Sequence, residues 1–304
     1  MMADSDAGEG RERSVVGPLR LGGSEIFQVS DGACWLDGGA MFGVVAKTQW
    51  SKYTYSDERN RIELGLHPLL IKAKGKNILV DTGIGGWSGS KYTKKFVDIF
   101  GIKHPPTLIQ SLREIGLGPE DIDIVINTHL HFDHAGGNAC RSDGELAPTF
   151  KNARYFVQKS ELEDAKSPSE RSRASYIRED FEVPENAGQL ETVEGNVEIV
   201  PGVSTILTPG HTRSHQSVKL ETSEGVLVYL GDLIPTTAHL RGLAWIMGYD
   251  LFPLTTLETK RDLLREALDG DWTLAFEHDT SVGMGRVKMD DRGRYSLDQV
   301  FSFR

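Results

Sequence analysis

The chain has 304 residues, 38% of them hydrophobic and 26% charged, which predicts a packed core within one α/β layer unit. Its formal net charge of −10 argues against general nucleic-acid binding, because an acidic surface repels phosphate backbones. It has two cysteines, no apolar run long enough to span a bilayer, and a polar N-terminus without the apolar stretch of a signal peptide. We therefore expect a cytoplasmic protein with reduced thiols and no membrane contact.

The first third of the chain combines a polar tail, strands and one long irregular segment. Residues 1–13 are typical of a disordered tail, and residues 14–304 are assigned to a single domain because no Pro- or Ser-rich linker divides them. Residues 34–61 are aromatic and Gly-rich and predict a long loop of the kind that is often functional. Residues 67–85 then predict a hairpin with its turn at Gly75.

The middle of the chain alternates helical and strand patterns. Apolar residues recur at helical spacing over residues 108–115, and Gly116 is a suitable stop. A short apolar run at residues 123–127 predicts a buried strand, and residues 154–158 predict another. Residues 159–188 are polar and predict a partly helical surface excursion.

Strand patterns resume in the last third, at residues 196–211, 225–232 and 273–279. Residues 255–268 predict a helix that Gly270 can terminate. Its start fits a capping box and its leucines line one face; the residues concerned are Thr255 and Glu258 for the box and Leu257, Leu264 and Leu268 for the face. Two successive blocks of strands, each with helices, predict the α/β class.

The stretch INTHLHFDHAGGN, residues 126–138, packs three histidines and one aspartate into six residues. It is a metal site, a catalytic dyad with spare histidines, or a His-rich polar loop. The stretch begins where the predicted strand ends, which is where ligands usually bind in layered α/β proteins. His129 and His131 are two apart, so an extended backbone places both rings on one side.

Asp133 and His134 follow at once, and we expect Gly136 and Gly137 to let the backbone turn sharply there. One metal cannot easily accept four side chains from so short a loop, whereas two neighbouring metals can divide them. His and carboxylate donors are typical of catalytic sites, because structural zinc sites usually use cysteines.

Three further polar residues, His211, Asp232 and His278, each stand after a predicted strand. Taken singly, each is equally well explained as a capped polar residue at a strand terminus. Together with the histidine cluster, they predict the remaining ligands of one site.

The segments HLHFDH, PGHT, YLGD, FEH and LVDTG occur within residues 77–278, and in this combination the sequence resembles the metallo-β-lactamase-fold hydrolase superfamily. The resemblance implies a four-layer αββα sandwich with two divalent metal ions, zinc in the first instance, with Mn, Fe or Co as alternatives. It implies one metal on His129, His131 and His211, the other on Asp133, His134 and His278, Asp232 as the bridge, and Asp81 as the orienting partner of a ligand histidine.

The implied reaction is attack by a hydroxide shared between the metals, with Asp133 orienting it and carrying a proton to the leaving group. The segment PGHTRSHQSV is similar to the N-acyl homoserine lactonase group, which indicates opening of a lactone or cleavage of an ester. Those lactonases often carry a tyrosine shortly after the bridging aspartate, where this chain has residues 233–236, LIPT. Tyr53 or His239 is a substitute hydrogen-bond donor.

Other functions stay open at this point. One is hydrolysis of organophosphate triesters, a second is a mononuclear iron persulfide oxygenase of the same fold, and a third is a non-catalytic binding module. We expect a small-molecule substrate and consider a homodimer. Two Gly-containing loops supply the predicted pocket walls, with core packing or a dimer contact as the alternative; the residues are Met41, Phe42, Trp50, Tyr53, His239, Trp245, Met247 and Phe252. Cys140 is expected to be a small buried residue.

Overall fold

The structure, a computed structural model, describes residues 14–86, 92–102, 107–142 and 144–303, so the predicted disordered tail lies outside the described residues. Its strands are β1 (Val15–Leu21), β2 (Ser24–Val29), β3 (Ala33–Asp37), β4 (Arg61–Gly65), β5 (Leu69–Ala73), β6 (Lys76–Val80), β7 (Ile124–Ile126), β8 (Ala139–Ser142), β9 (Glu145–Pro148), β10 (Arg154–Gln158), β11 (Leu190–Val193), β12 (Val197–Val200), β13 (Val203–Leu207), β14 (Gln216–Thr222), β15 (Gly225–Tyr229), β16 (Thr273–Ala275), β17 (Val282–Met289) and β18 (Tyr295–Ser302).

The α-helices within the described residues are α1 (Gly38–Phe42), α2 (Lys47–Trp50), α3 (Lys94–Phe100), α4 (Leu108–Glu114), α5 (Phe132–Ala135), α6 (Lys159–Lys166), α7 (Glu179–Asn186) and α8 (Pro253–Asp269). In the described part of the chain, no helix has the length and apolar character needed to cross a membrane.

Two seven-stranded sheets form the framework. The first has the order β1-β2-β5-β6-β7-β10-β11, and the second contains β12 to β18 in chain order. This confirms the two successive blocks of strands. The predicted hairpin is β5 with β6, which pair in antiparallel fashion. From β6 through β7 and β10 to β11 the pairing is parallel, so these strands end at the same edge.

The inner faces of the two sheets pack against each other. Ile78 and Val80 of β6 share a buried cluster with Leu227 and Tyr229 of β15, whereas the intervening Leu79 faces the opposite side. This alternation follows from the period of two in a strand. One core therefore lies between the sheets.

Helices cover both outer faces. Leu108 and Leu112 of α4 pack on the outer side of the first sheet, and Leu263 and Leu264 of α8 pack on the outer side of the second. The layer order is helix, sheet, sheet, helix, which confirms the α/β class and the predicted αββα arrangement. The α4 helix ends before Gly116, whose φ of 77° suits the predicted stop.

The segment predicted as a long aromatic loop, residues 34–61, contains regular structure, so this prediction was wrong. Its first residues belong to β3, which pairs with β4, and α1 and α2 lie between them. Asp37 caps α1 by accepting a hydrogen bond from the Ala40 N–H at 2.8 Å. The elements are too short to show a period, and they are held by packing around the buried Trp50 ring.

The polar segment at residues 159–188 is partly helical as predicted, with α6 and α7. It is not a surface excursion, because Tyr176 and Phe181 are buried in a cluster with Leu130. The segment therefore packs over the histidine stretch. The many charged residues of this segment predicted an exposed surface, although its few apolar residues are buried.

The predicted helix at residues 255–268 is α8, and it ends before Gly270 as expected. The predicted capping box is wrong. The N-cap is Phe252, which makes no side-chain cap hydrogen bond, and the helix starts with a proline, which has no N–H to satisfy there. Thr255 and Glu258 lie inside the first turns instead.

The buried face of α8 differs from the predicted leucine stripe. Leu264 is buried, but Leu257 and Leu268 are half-buried, and Lys260 is fully buried. The Lys260 ammonium donates to three backbone carbonyls, those of His239 at 2.7 Å, Gly242 at 3.0 Å and Trp245 at 2.8 Å. This lysine fastens the loop after Asp232 to α8.

Candidate metal centre

The histidine stretch begins directly after β7, at the edge where the parallel strands end. His131 lies on extended backbone, with φ −66° and ψ 153°. Asp133 and His134 were expected in a loop, but they lie on the single helical turn α5. His131 is the N-cap of this turn, so the change from extended to helical backbone separates the four side chains into two pairs.

Three later connections, which all follow strands of the second sheet, bring further donors to the same end of the sandwich. His211 lies between β13 and β14, Asp232 on a short 3-10 turn after β15, and His278 after β16. All of the predicted ligand side chains are buried, with at most 7% of each residue exposed. The structure therefore brings together the seven residues that the sequence grouped.

One donor set contains His129, His131, His211 and Asp232, whose ligand atoms lie within 4.8 Å of one another. His211 Nε2 lies 3.1 Å from His131 Nδ1 and 3.1 Å from Asp232 Oδ2. His129 Nε2 lies 3.8 Å from the same carboxylate oxygen. These atoms surround one common point.

The other donor set contains Asp133, His134 and His278. His278 Nε2 lies 3.2 Å from His134 Nε2 and 4.0 Å from Asp133 Oδ2. Asp232 Oδ1 approaches this set, at 3.1 Å from His278 Nε2 and 3.5 Å from His134 Nε2. The two oxygens of Asp232 thus face different donor sets.

These distances fit divalent cations. Ligands about 2.0–2.1 Å from a tetrahedral zinc ion lie about 3.3–3.4 Å from each other. The separations given above span 3.1–4.0 Å and so include this value. His129 Nε2 is buried and has no hydrogen-bond partner among the described residues. Close imidazole nitrogens and an unpartnered buried nitrogen are costly without a shared cation. The arrangement suits divalent metal ions.

Electrostatics favour the metal-binding protonation state of three of these groups, His129, His131 and Asp232. Burial and the neighbouring histidines hold the pKa of His129 and of His131 well below the usual value, which keeps both imidazoles neutral. Burial acts to raise the pKa of Asp232, but nearby histidines, led by His211, hold it well below its ordinary value. His278 differs: burial acts to lower its pKa, but the Asp232 carboxylate raises it to about 9, so a metal ion would have to displace a proton from this ring.

Three of these histidines, His134, His211 and His278, direct Nε2 into a donor set. Their other ring nitrogen, Nδ1, has a partner outside the set. His134 Nδ1 donates to Asp81 Oδ2 at 2.9 Å, and His211 Nδ1 donates to Asp250 Oδ1 at 3.0 Å. His278 Nδ1 donates to the Gly65 carbonyl at 2.8 Å. Such bonds fix the tautomer and the ring orientation. Asp81 stands where a partner of a ligand histidine was expected.

Asp250 was missed, because a single polar residue in an irregular loop carries no period or motif. His215 was also missed: it lies in the segment PGHTRSHQSV, but the segment alone does not indicate which residue His215 contacts. Its Nε2 accepts the Asp232 backbone N–H at 3.1 Å, and its Nδ1 lies 2.9 Å from Thr208 Oγ1. Burial lowers the pKa of His215 to about 3, so it stays neutral and can accept this bond.

Asp81→Asn is expected to weaken metal binding by about 10–100-fold, because an amide places a donor against the N–H of His134. Asp81 also accepts from the Thr128 N–H at 2.7 Å, so the variant disturbs the backbone before His129. Metal affinity by competition with a chelating dye measures the effect. Asn77→Asp, at the start of β6 and half-buried, is the control that should bind normally; equal affinity in the Asp81 variant would contradict the assigned role.

A third group, Asp81, His134 and Glu277, also has converging atoms. His134 Nδ1 lies 2.9 Å from Asp81 but 3.9 Å from Glu277. That ring nitrogen is already bonded to Asp81, so we interpret the group as outer partners of His134. Burial raises the pKa of Glu277 to about 8, which reduces its negative charge beside Asp81.

Gly136 and Gly137 have a different role from the predicted sharp turn. Gly136 has ordinary helical dihedrals, with φ −60° and ψ −30°. A Cβ on Gly136 would lie 2.3 Å from the Ile84 carbonyl oxygen, and one on Gly137 would lie 2.3 Å from the Thr82 carbonyl oxygen. The glycines are needed because the backbone after Asp81 passes directly against them.

A cavity of about 670 Å³ opens onto both donor sets. Asp133, Asp232 and His278 line its floor, and its walls are mainly apolar, with Leu36, Met41, Leu64, Phe100, Phe132 and Met247 among them. Arg59, Arg61 and Arg171 also line it. It is a mostly apolar pocket with a few polar groups, as small-molecule sites usually are.

Of the eight predicted pocket residues, Met41 and Met247 line this cavity. Phe42 packs behind them, stacked on Trp50 and on His239, which matches the alternative of core packing. The remaining three, Tyr53, Trp245 and Phe252, do not line the cavity either. Cys140 is half-buried rather than buried.

Neither substitute for the lactonase tyrosine reaches the cavity. Both ring nitrogens of His239 are engaged, with Thr236 Oγ1 at 2.8 Å and the Met41 carbonyl at 2.9 Å. Tyr53 lies outside, half-exposed beside Trp245 and Arg241. The hydroxyl groups that do line the cavity belong to Ser172, Ser175 and Tyr249.

Comparison with known proteins agrees with this geometry. Residues 67–278 match the Metallo-beta-lactamase superfamily. A crystal structure of a probable metal-dependent hydrolase from Staphylococcus aureus is 32% identical with a TM-score of 0.83, and the match covers 92% of this chain and 99% of that one.

The N-acyl homoserine lactonase of Bacillus cereus is 32% identical over 178 residues, which are 56% of this chain and 64% of the relative. The match thus spans just under two thirds of that lactonase. The dizinc quorum-quenching lactonase AidC, solved with a product, is 20% identical with a TM-score of 0.78, covering 95% of this chain and 99% of AidC. That likeness establishes a common fold.

Proposed function

Because the chain belongs to the Metallo-beta-lactamase superfamily, we propose that it is a metal-dependent hydrolase that opens a lactone ring. The observation that carries the proposal is the pair of donor sets that share Asp232, at the floor of an apolar cavity. The choice of a lactone is supported by the names of the Bacillus relatives. An ester is the nearest variant of the same chemistry.

We assign one divalent ion to His129, His131 and His211, a second to Asp133, His134 and His278, and the bridge to Asp232. Zinc is the first choice, because histidine and carboxylate donors are typical of catalytic zinc sites. The same donors also accept Mn, Fe or Co. When bound, such ions supply Lewis acidity and make water a strong nucleophile at neutral pH.

Asp133 is the residue of the site that we assign to proton transfer. Its carboxylate lines the cavity and lies 4.0 Å from His278, the longest separation among the donor pairs described. It can accept a hydrogen bond from the attacking water and orient it toward the carbonyl carbon. As the ring C–O bond breaks, Asp133 returns a proton to the leaving oxygen, so that an acid and an alcohol result.

The cavity walls are assigned to the apolar part of the substrate. Met41, Met247 and Leu64 form a surface suited to an acyl chain, and Tyr249, which also lines the cavity, offers a phenol donor. Burial raises the pKa of Tyr249 to about 12, so the phenol keeps its proton at neutral pH. Tyr249 is therefore our candidate for the donor that residues 233–236 do not supply.

A hydrolysis panel tests the function. Metal-analysed protein is assayed with N-hexanoyl homoserine lactone, an aryl ester and an aryl phosphotriester. We expect the lactone to have the highest kcat/KM. Turnover of the phosphotriester alone would identify the other hydrolase function, and absence of turnover with all three substrates would overturn the proposal.

Met247→Trp is expected to lower kcat/KM for a decanoyl lactone by on the order of tenfold while changing a butanoyl lactone much less. The larger ring shortens the apolar cavity that Met247 lines. Met289→Trp, at a half-exposed position on β17, introduces the same ring away from the cavity and should leave both rates unchanged. Equal losses for both chain lengths would refute the assignment of the wall.

A further inference from the structure

Glu161 is a buried carboxylate that none of the roles above uses. It lies on α6 and its exposure is 0%. No ion pair joins it to a lysine or arginine within the described ranges. A buried charge is costly unless hydrogen bonds compensate it, so its partners show what it stabilises.

Three donors converge on this carboxylate. Oε1 accepts the Leu130 backbone N–H at 3.1 Å and the Tyr176 hydroxyl at 3.0 Å. Oε2 accepts the Thr212 hydroxyl at 2.6 Å. All three partners are buried, so they have little access to water as a replacement.

Each partner is adjacent to a histidine of one donor set. Leu130 stands between His129 and His131 in the chain, and Thr212 follows His211. The Tyr176 ring packs edge-on against His131, with centroids 4.9 Å apart. A single carboxylate therefore joins the two chain segments that supply all three histidines of this set.

The other set is held differently. His134 is oriented by Asp81, and His278 by the Gly65 carbonyl. Neither contact involves Glu161. Loss of Glu161 should therefore affect the two sets unequally.

We propose that Glu161 is a positioning residue that preorganises His129, His131 and His211 for one of the two metal ions. The inference rests on the proposed function in that these histidines bind metal. Without the carboxylate, one buried N–H and two hydroxyls lose their acceptor and the two segments can separate. Metal affinity falls because the binding energy must then restore their arrangement.

The test is a titration of metal-free protein with Zn²⁺ in competition with a chelating dye, alongside the melting temperature of the metal-free form. Glu161→Ala is expected to weaken one of two binding steps by about 10–100-fold and to leave the other within about threefold. Glu161→Gln should be intermediate, because its amide oxygen still accepts the Leu130 N–H. The glutamine variant also tests the inference if the alanine variant does not fold.

Asp31→Asn is the matched control. Asp31 is equally buried and accepts three backbone N–H groups, from Ile84 at 2.9 Å, Gly85 at 3.0 Å and Leu108 at 2.8 Å, none of them next to a ligand histidine. It should lower the melting temperature without weakening either binding step. Equal weakening in this control, or unchanged binding in both Glu161 variants, overturns the inference. If the wild type binds no metal, the proposed function fails; if it binds metal and the Glu161 variants bind it equally well, only this inference fails.

Discussion

Asp232→Ala is expected to abolish metal-dependent hydrolysis, lowering kcat/KM by about a thousandfold or more. The two oxygens of Asp232 face different donor sets, at 3.1 Å from His211 Nε2 and 3.1 Å from His278 Nε2. Its removal would take a ligand from both proposed ions and would leave no negative charge between them. Metal analysis after dialysis and the lactone rate measure the two consequences.

Asp123→Ala is the control for this variant. Asp123 precedes β7, at the opposite end from the histidines, and pairs with Lys76 at 2.7 Å. Its loss should cost some stability but leave metal content and rate near those of the wild type. Full metal content together with an undiminished rate in Asp232→Ala would remove the basis for a shared carboxylate.

Asp133→Asn is expected to keep its metals and still lower kcat by about 10²–10⁴-fold. The amide keeps an oxygen in the place of the carboxylate oxygen that faces His278, so binding of the second ion changes little. It cannot take a proton from the attacking water or return one to the leaving oxygen. The expected pattern is a large loss in kcat with KM nearly constant, measured on protein whose metal content has been determined.

Asp37→Asn makes the same change on the wall of the same cavity. Asp37 is engaged with the Ala40 N–H at 2.8 Å and the Asn60 amide at 2.9 Å, so its carboxylate has a structural use. We expect less than a tenfold effect on kcat. A kcat near the wild-type value in Asp133→Asn would show that the proton is carried by another group or by solvent.

The residues of the candidate metal centre could be predicted because their signal is local. Each follows an apolar strand, and the ends of such strands in the two packed sheets lie together, so His211, Asp232 and His278 converge with residues far away in the chain. The layer order also followed, since the period of two in β6 and β15 determines which side chains meet between the sheets.

Residues that act through others left no such signal. Asp250 lies in an irregular loop and Glu161 lies on a helix with many other charges, and only the folded chain shows that they contact His211 and Leu130. The pocket prediction had the opposite difficulty. Phe42 and Trp50 look like binding-site aromatics by composition, but they stack on each other in the core. Composition does not indicate whether an aromatic ring lines the cavity or packs in the core behind it.

The most direct test of the central claim is a titration of metal-free protein with Zn²⁺ while lactone hydrolysis is followed. We expect no turnover without metal, and activity that reaches its maximum when two ions are bound per chain. Full activity in protein shown to be metal-free would contradict the account, because the proposed reaction needs the ions that we assign to these seven side chains.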